Sequence, residues 1–554
     1  MKLRFLILFV ALSSHAAPPL LYDTFDDLNQ NNVKRLPQFI LDFYHALKDT
    51  TKEVHQALIN LPHTFFNSLQ NYPHADELAN VRYCPNDELC AQEKAYVDKR
   101  LSIVKKYMEE KFNIQLDDDR VPRIAYCFSG GGFRAMIMTI GFLTGAHSLN
   151  GLNNALYIAG LSGSTWAIAP WIASGKTLQD FFEPLSLQLA GGMAQISSIK
   201  TVSQMVEHLI NKMYFKQLIS VIDIYGHILA NTLLNHTVED PLRITISESH
   251  SLISDGSKPM PIYTAIHSNI QPYEWIEFTP FEVGSAYLKS YVPTWAFGRK
   301  FKEGVSVNNA PEQTLGFYMG VFGSAFELNL KDVIRMTADN IAQVKSDLPS
   351  YLYLPLKKIT MLVLNSILGD IRLFPAILEN FTYQHTKSPI RDEHEMVLVD
   401  AGIDFNLPLP PLLRASRKVD MIIIYDASAS VSGAPELYRA ERYARRKGMK
   451  FPKINYEGID QKPINIFSDP NDPETPIIVY FPRIKNELYC TEFDPEICIN
   501  QNYCNTYNFA YTKEQVHQLC GLAEFTIKEN QQILEELLKE LLTKKYGYQL
   551  PATA

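Results

Sequence analysis

IAYCFSGGGFRAMIMTIGFLTGAH, from Ile124 to His147, reads as a short buried strand that runs straight into three glycines and then into a helix rich in Met, Ile and Leu. Glycine tolerates the positive φ and the close backbone approach that so sharp a strand-to-helix turn demands. The spacing is neither the G-x-G-x-x-G of a dinucleotide loop nor the Gly-Lys-Ser/Thr ending of a nucleotide phosphate loop. Three glycines at a helix N-terminus instead let backbone N–H groups converge on a negative charge with no side chain in the way, which is what an oxyanion hole needs. Arg134 projects from the first turn of the same helix, where a permanent cation can bind a phosphate or form a structural ion pair.

About one strand further on, Leu156 to Trp166 reads LYIAGLSGSTW. Leu156 to Ile158 forms a buried strand, Gly160 and Gly163 can take the torsions of a sharp elbow, and Trp166 to Trp171 begins a helix. Such a turn holds the Ser162 hydroxyl clear of the backbone and nominates it as a nucleophile. Ser164 stands where the Gly-x-Ser-x-Gly pattern has glycine, so an idle serine in a glycine-rich turn competes with this reading. Strand, glycine loop, helix, strand, serine turn and helix in succession make half of a doubly wound α/β sheet.

A hydrolytic serine needs a proton acceptor. Asp400 ends the apolar run Met396 to Val399 in EMVLVDAGIDFNLPLPPLL, 238 positions after Ser162. Of the 14 histidines only His517 follows it, in the polar helical stretch TKEQVHQLC, so a Ser-Asp-His order rests on a residue with the marks of an exposed surface histidine. The alternative is a dyad in which Asp400 takes the Ser162 proton directly, burial having raised the carboxylate from its ordinary value of about 4 toward what proton transfer requires. Asp404, or Asp426 in MIIIYDAS, fits the same role in another geometry.

The chain has 554 residues, 46% hydrophobic and 20% charged, with a formal net charge of −8. That length suits a large core with an insertion or a second lobe, and nothing in the charge points to a polyanion-binding protein, so nucleic acid is not an expected partner. Lys2 and Arg4 precede the apolar run Phe5 to Leu12, and Ser14 and Ala16 stand at cleavage spacing, the pattern of a signal peptide over residues 1–16. The run is shorter than the ~20 residues that span a bilayer, and a secreted, extracellular or periplasmic protein is expected. Six of the seven cysteines lie in polar, turn-rich stretches, as an oxidising compartment favours. Cys84 and Cys90 flank a Pro-Asn-Asp loop and can close locally; Cys490, Cys498, Cys504 and Cys520 allow two bridges in any of three pairings, with no C-x-x-C to suggest zinc. Cys127 reads as a buried small hydrophobe.

GLSGSTW around Ser162, SGGGFRAM around Arg134 and DAGIDFNLP at Asp400 resemble the catalytic domain of the group IV cytosolic phospholipase A2 family. So do EFTPFEVG (Glu277 to Gly284), FGRKF (Phe297 to Phe301), MGVFGSAF (Met319 to Phe326) and RASRKVDMIIIYDASA (Arg414 to Ala429). The resemblance runs from about Glu93 to the C-terminus and thins after Pro452. It implies a three-layer α/β fold, a patatin-like, α/β-hydrolase-like central sheet flanked by helices with an inserted cap. It implies Ser162 as acyl-accepting nucleophile, Asp400 as general base and then acid, the amides of Gly131 and Gly132 as oxyanion donors, and Arg134 on the substrate phosphate. Arg417 matches a second arginine of the family, and Asn406 lies in the shared FNLP segment; both are expected to support the site.

The chain departs from that family at its N-terminus, where no counterpart of a calcium-dependent lipid-binding module is read, so neither metal nor cofactor is expected to be required. Fungal phospholipases B, secreted and disulfide-bonded, share the SGGG-R and GLSG patterns. The expected organisation is a signal peptide at 1–16, an N-terminal helical extension at 17–92 and a catalytic domain at 93–554 with a cap at about 327–394. The apolar stretch Ser350 to Phe381, with Lys357 and Lys358, suits a lipid interface or the core of the cap. The expected function is hydrolysis of acyl esters of glycerophospholipids or lysophospholipids at a membrane or micelle surface. An ordinary Ser-Asp-His lipase using His517, and a non-catalytic lipid-binding or host-interaction protein, are the alternatives.

Overall fold

The computed structural model describes residues 72–189, 204, 208, 211–212, 215–235, 238, 240–326, 376–500 and 503–551. The signal-peptide pattern at 1–16, most of the helical extension expected at 17–92 and most of the expected cap, with Lys357 and Lys358, lie outside the described residues. In chain order the described strands are β1 (Arg82–Tyr83), β2 (Ile124–Phe128), β3 (Ala155–Leu161), β4 (Met260–His267), β5 (Glu274–Phe278), β6 (Glu282–Ser285), β7 (Ser290–Pro293), β8 (Phe301–Lys302), β9 (Val305–Ser306), β10 (Ala376–Glu379), β11 (Glu395–Asp400), β12 (Met421–Asp426), β13 (Asn465–Phe467) and β14 (Ile477–Pro482). All but the β8–β9 hairpin belong to one sheet of order β1-β7-β6-β5-β4-β3-β2-β12-β14-β13, with β11 added to β4 and β10 to β11. Neighbours from β4 through β3, β2 and β12 to β14 run parallel. Their sequences IAYCF, ALYIAGL and MIIIYD are buried at every position, the unbroken apolar run expected of parallel strands covered on both faces.

One detail of register builds the site. β3 pairs with β4 from Tyr157 opposite Met260 as far as Leu161 opposite Thr264. β11 runs antiparallel along the next part of β4, from Leu398 opposite His267 to Asp400 opposite Ala265. The C-terminal ends of β3 and β11 therefore face each other on one strand, and Ser162 and Asp400 meet there.

Seven helices bear on the site or on its supports: α1 (Ala91–Phe112), α2 (Gly132–Ser148), α3 (Thr165–Ser174), α4 (Val221–Leu233), α5 (Leu315–Phe322), α6 (Lys513–Glu529) and α7 (Gln531–Glu540). α1 is amphipathic, burying Val97, Leu101, Val104, Met108 and Phe112 together with Glu93 and leaving its lysines, Glu109 and Glu110 outward. α2 has no polar face: every residue from Gly132 to Ala146 except Thr144 is buried. The sheet covers one side, where the Phe142 ring meets Phe128, Tyr425 and Phe481. α6 covers the other, with Cys520 and Glu524 against Gly141 and Gly145. The C-terminal helical stretch divides at Asn530 between α6 and α7.

The described part of the expected N-terminal extension, from residue 72, carries β1 against β7 before α1 begins. The last part of the expected cap contributes β10 to the central sheet. Cys498 and Cys504 are paired, with Cα atoms 5.3 Å apart. Cys84 and Cys90 are free thiols rather than a local bridge. Each is engaged by backbone: Cys84 Sγ accepts the Glu88 N–H at 2.8 Å, and Cys90 Sγ caps α1 by accepting the Glu93 N–H at 3.4 Å. Cys127 is buried in β2 as expected, and Cys490 and Cys520 are thiols.

Candidate active site

Ser162 follows β3 directly and has φ 49°, a left-handed torsion that a non-glycine residue adopts only when its surroundings impose it. The imposing contact is backbone on backbone. A Cβ on Gly163 would collide with the Gly132 carbonyl oxygen and lie 2.8 Å from the Gly132 nitrogen, so the elbow and the glycine loop touch only because position 163 has no side chain. Ser164, the departure from the Gly-x-Ser-x-Gly pattern, ties the elbow together: its Oγ accepts the Leu161 N–H at 2.9 Å and lies 2.9 Å from Phe128 O and 2.8 Å from Leu161 O. It is a positioning hydroxyl that joins the ends of β2 and β3.

Gly131 and Gly132, with φ of 137° and 65°, are the N-cap and first residue of α2. N–H groups at those positions have no acceptor within the helix and carry the positive end of its dipole. Asn406 holds the loop from the other side. Its Oδ1 accepts the Gly130 N–H at 3.2 Å, and its Nδ2 donates to Gly130 O at 3.0 Å and Ser428 Oγ at 2.7 Å. Its own N–H is bound by Glu436 at 2.7 Å. A Cβ on Gly130 would lie 2.7 Å from Ser162 Cβ, so the loop clamped by Asn406 lies against the serine.

Asp400 is 1% exposed and Ser162 4%. The carboxylate accepts hydrogen bonds from the Ser162 hydroxyl and from the backbone N–H groups of Gly402 and Ala325; burial outweighs all three and pushes its pKa up to about 6. The Gly402 bond measures 2.9 Å, and the Asp400 N–H donates to Ser324 Oγ at 2.9 Å. Ser324 and Ala325 belong to the MGVFGSAF stretch, whose contribution spacing alone did not reveal; a small polar residue just after α5 was the only signal. Tyr225 on α4 is buried and senses the Asp400 charge.

Arg134 lies beside this centre, wholly buried. Its Nε donates to Ala427 O at 2.9 Å, and its Nη1 to Cys504 O at 2.6 Å and Thr506 Oγ1 at 3.2 Å. Nη2 has no partner among the described residues, and a Cβ on Gly131 would strike it, so it points at the glycine loop. Burial, and then the charge of Arg483, lower its pKa to about 10, so it remains a cation at neutral pH.

The other expected residues sit elsewhere. Arg417 is buried in an ion network, bonded to Glu93, Glu277 and Pro411 O, and the same Glu277 binds Arg414. This network anchors α1 and β5 to the segment before β12, and loss of one partner from so buried a cluster costs about 3–5 kcal/mol. Asp404 accepts the Trp275 Nε1–H at 2.9 Å, and Asp426 accepts the Ser428 N–H at 3.0 Å and the Tyr480 hydroxyl at 2.9 Å, so Asp400 is the carboxylate that meets Ser162. His517 is exposed on α6 beside Glu514.

Mouse cytosolic phospholipase A2 zeta is 26% identical to this chain over 541 residues, covering 83% of this chain and 62% of the mouse protein. Human cytosolic phospholipase A2 epsilon is 26% identical over 529 residues, covering 82% and 60%. The chain thus spans about three fifths of the length of the curated relatives it matches. The structure of human GIVD cytosolic phospholipase A2 superposes with a TM-score of 0.70 at 22% identity, over 84% of this chain and 68% of that one. The same human protein in complex with methyl gamma-linolenyl fluorophosphonate gives 0.65 at 22% identity, over 84% and 66%. These likenesses carry the fold, a mixed central sheet flanked by helices. Residues 124–489 match the lysophospholipase catalytic domain, and the chain belongs to that family.

Proposed function

We propose that this chain is a secreted phospholipase that hydrolyses fatty-acyl esters of glycerophospholipids and lysophospholipids by two-step acyl transfer through Ser162 and Asp400. The observation that carries the reading is the buried hydrogen bond from the Ser162 hydroxyl to a carboxylate with a pKa of about 6. At neutral pH that carboxylate is ionised and still basic enough to take a proton in a transition state. Ser162 Oγ attacks the ester carbonyl while its proton passes to Asp400, and the carbonyl oxygen gains negative charge beside the N–H groups of Gly131 and Gly132. One such donor is worth roughly 3–4 kcal/mol in other acyl-transfer enzymes. Asp400 then protonates the leaving alkoxide, the alcohol departs, and the acyl group stays on Ser162. Water repeats the sequence, giving its proton to Asp400, and the fatty acid is released as Ser162 recovers its proton.

Arg134 binds the substrate phosphate through its free Nη2, and Asn406 keeps the oxyanion loop in register. Export rests on the signal-peptide pattern at 1–16 and is supported by the Cys498–Cys504 pair, since such bridges persist in oxidising compartments. The substrate would be met at a membrane or micelle surface by a catalytic domain at 93–554. A long-chain fluorophosphonate tests the chemistry: it is expected to label the chain once, at Ser162, and labelling that persists in Ser162→Ala assigns the nucleophile elsewhere.

A further inference from the structure

Two arginines are held by the segment that follows β12. Arg134 Nε donates to Ala427 O at 2.9 Å; Arg483, immediately after β14, donates from Nε to Ser428 O at 3.3 Å and from Nη2 to Ala429 O at 3.4 Å. Three successive carbonyls thus hold both guanidiniums. Arg483 Nη2 also pairs with Glu496 at 2.7 Å. Both side chains are 0% exposed, and each keeps one nitrogen with no partner among the described residues, Nη2 of Arg134 and Nη1 of Arg483.

Buried charged donors left unpaired are costly, and buried like charges repel unless an anion lies between them. Among the described residues the nearby carboxylates do not fill that role. Glu496 is spent on Arg483 Nη2, and Asp426 on Ser428 and Tyr480. Anchoring of the Ala427–Ala429 segment is accomplished by the bonds already made, so it accounts for neither orphan nitrogen. The placement is also specific. The order β3-β2-β12-β14 sets Ser162, the glycine loop, the Ala427–Ala429 segment and Arg483 on consecutive strand ends along one carboxyl edge. At ~4.8 Å per strand, Arg483 starts about 14 Å from Ser162, and its side chain turns back toward Ser428. Ser162 is itself only 4% exposed, so the burial of the two arginines matches that of the serine they would serve.

We infer that Arg134 and Arg483 together form a phosphate-ester site, each donating its free nitrogen to the phosphate oxygens of the lipid whose acyl ester Ser162 attacks. Guanidinium forks suit phosphate oxygens, and two forks on one loop accept a tetrahedral anion better than one. The assignment of the headgroup as occupant rests on the phospholipase reading; a free phosphate has the same chemistry.

The test uses full-length wild type, Arg483→Gln and Arg483→Lys, the last retaining charge without the fork. The readout is the ratio of kcat/KM for lysophosphatidylcholine to that for a monoacylglycerol with the same acyl chain. We expect the ratio to fall at least tenfold in Arg483→Gln and to recover partly in Arg483→Lys. An unchanged ratio, with both esters losing equally, overturns the headgroup assignment, and where inorganic phosphate also gives no thermal shift it overturns the site and leaves Arg483 a brace for its loop. Inorganic phosphate separates the two sources: if it raises the melting temperature of wild type but not of Arg483→Gln while the ester ratio stays constant, the site takes free phosphate and the headgroup assignment fails. If wild type hydrolyses neither ester, the phospholipase reading falls, and the thermal shift with phosphate still decides the arginine pair: its loss in Arg483→Gln sustains the site and its absence from wild type ends it.

Discussion

Asp400→Asn changes one buried group and separates its cost to the fold from its use in catalysis. In the folded chain the carboxylate has a pKa of about 6 against an ordinary 3.8, with burial as the largest cause. At about 1.4 kcal/mol per pKa unit, the ionised form costs the native state about 3 kcal/mol at neutral pH. The native pKa is raised, so between pH 4 and 6 the folded chain holds the proton more tightly than the unfolded chain. Stability therefore falls as pH rises through that window, and the full cost is present above it. The asparagine amide carries no such cost, but cannot accept all three bonds that reach Asp400, and one unpaired N–H offsets about 1–3 kcal/mol of the gain. That loss is independent of pH and cancels when the two proteins are compared at two pH values. The stability of the variant relative to wild type should therefore improve by about 2 kcal/mol between pH 4.5 and pH 8, measured by denaturant unfolding at each pH. Over the same range wild-type kcat/KM should rise about tenfold per pH unit below 6 and level off above it, while kcat of the variant falls by roughly 10²–10⁴. A stability difference that stays constant with pH, or a wild-type kcat/KM indifferent to pH between 5 and 7, would refute the assignment of a titrating base to Asp400.

His517→Ala should leave kcat/KM within about twofold, because the side chain is exposed on α6; a loss of a hundredfold or more restores the three-residue alternative. Gly163→Ala drives a Cβ into the Gly132 carbonyl and parts the elbow from the glycine loop. Fluorophosphonate labelling should slow by at least about a hundredfold, and labelling at the wild-type rate contradicts the contact. Asn406→Ala frees the Gly130 loop and should lower kcat about 10–100-fold with little change in KM; a rise in KM at constant kcat would make it a substrate contact instead. Ser164→Ala leaves the buried Leu161 N–H unpaired and should destabilise the chain by about 1–3 kcal/mol, read as a lowered unfolding midpoint.

Local sequence settled a good part of the site. The strand Ile124–Phe128, the glycine turn and the helix after it are legible because an apolar run of five, three glycines and a long apolar helix admit few other backbones. The serine elbow is legible for the same reason, although Ser164 looked like a defect until its hydroxyl proved to join β2 and β3. The cysteines show the limit of such reading. Cys84 and Cys90 have the spacing of a bridge, yet each sulfur is engaged by loop backbone, and that competition depends on where the loop folds. Arg417 carries the family signature, but which carboxylates it meets was decided by the approach of α1 and β5, far away in the chain.

Arg483 marks the same limit from the other side, since nothing in FPRIKNE distinguishes a buried arginine from a surface one. The sequence by itself determined the local units, their order and the serine that the elbow presents, because those depend on torsions and periodicities within about twenty residues. Only the tertiary structure decided which acid meets Ser162. Asp400, Asp404 and Asp426 are chemically alike, and the choice falls to Asp400 because β3 and β11 end face to face along β4. That register is set by pairing between strands distant in the chain, which no local pattern encodes.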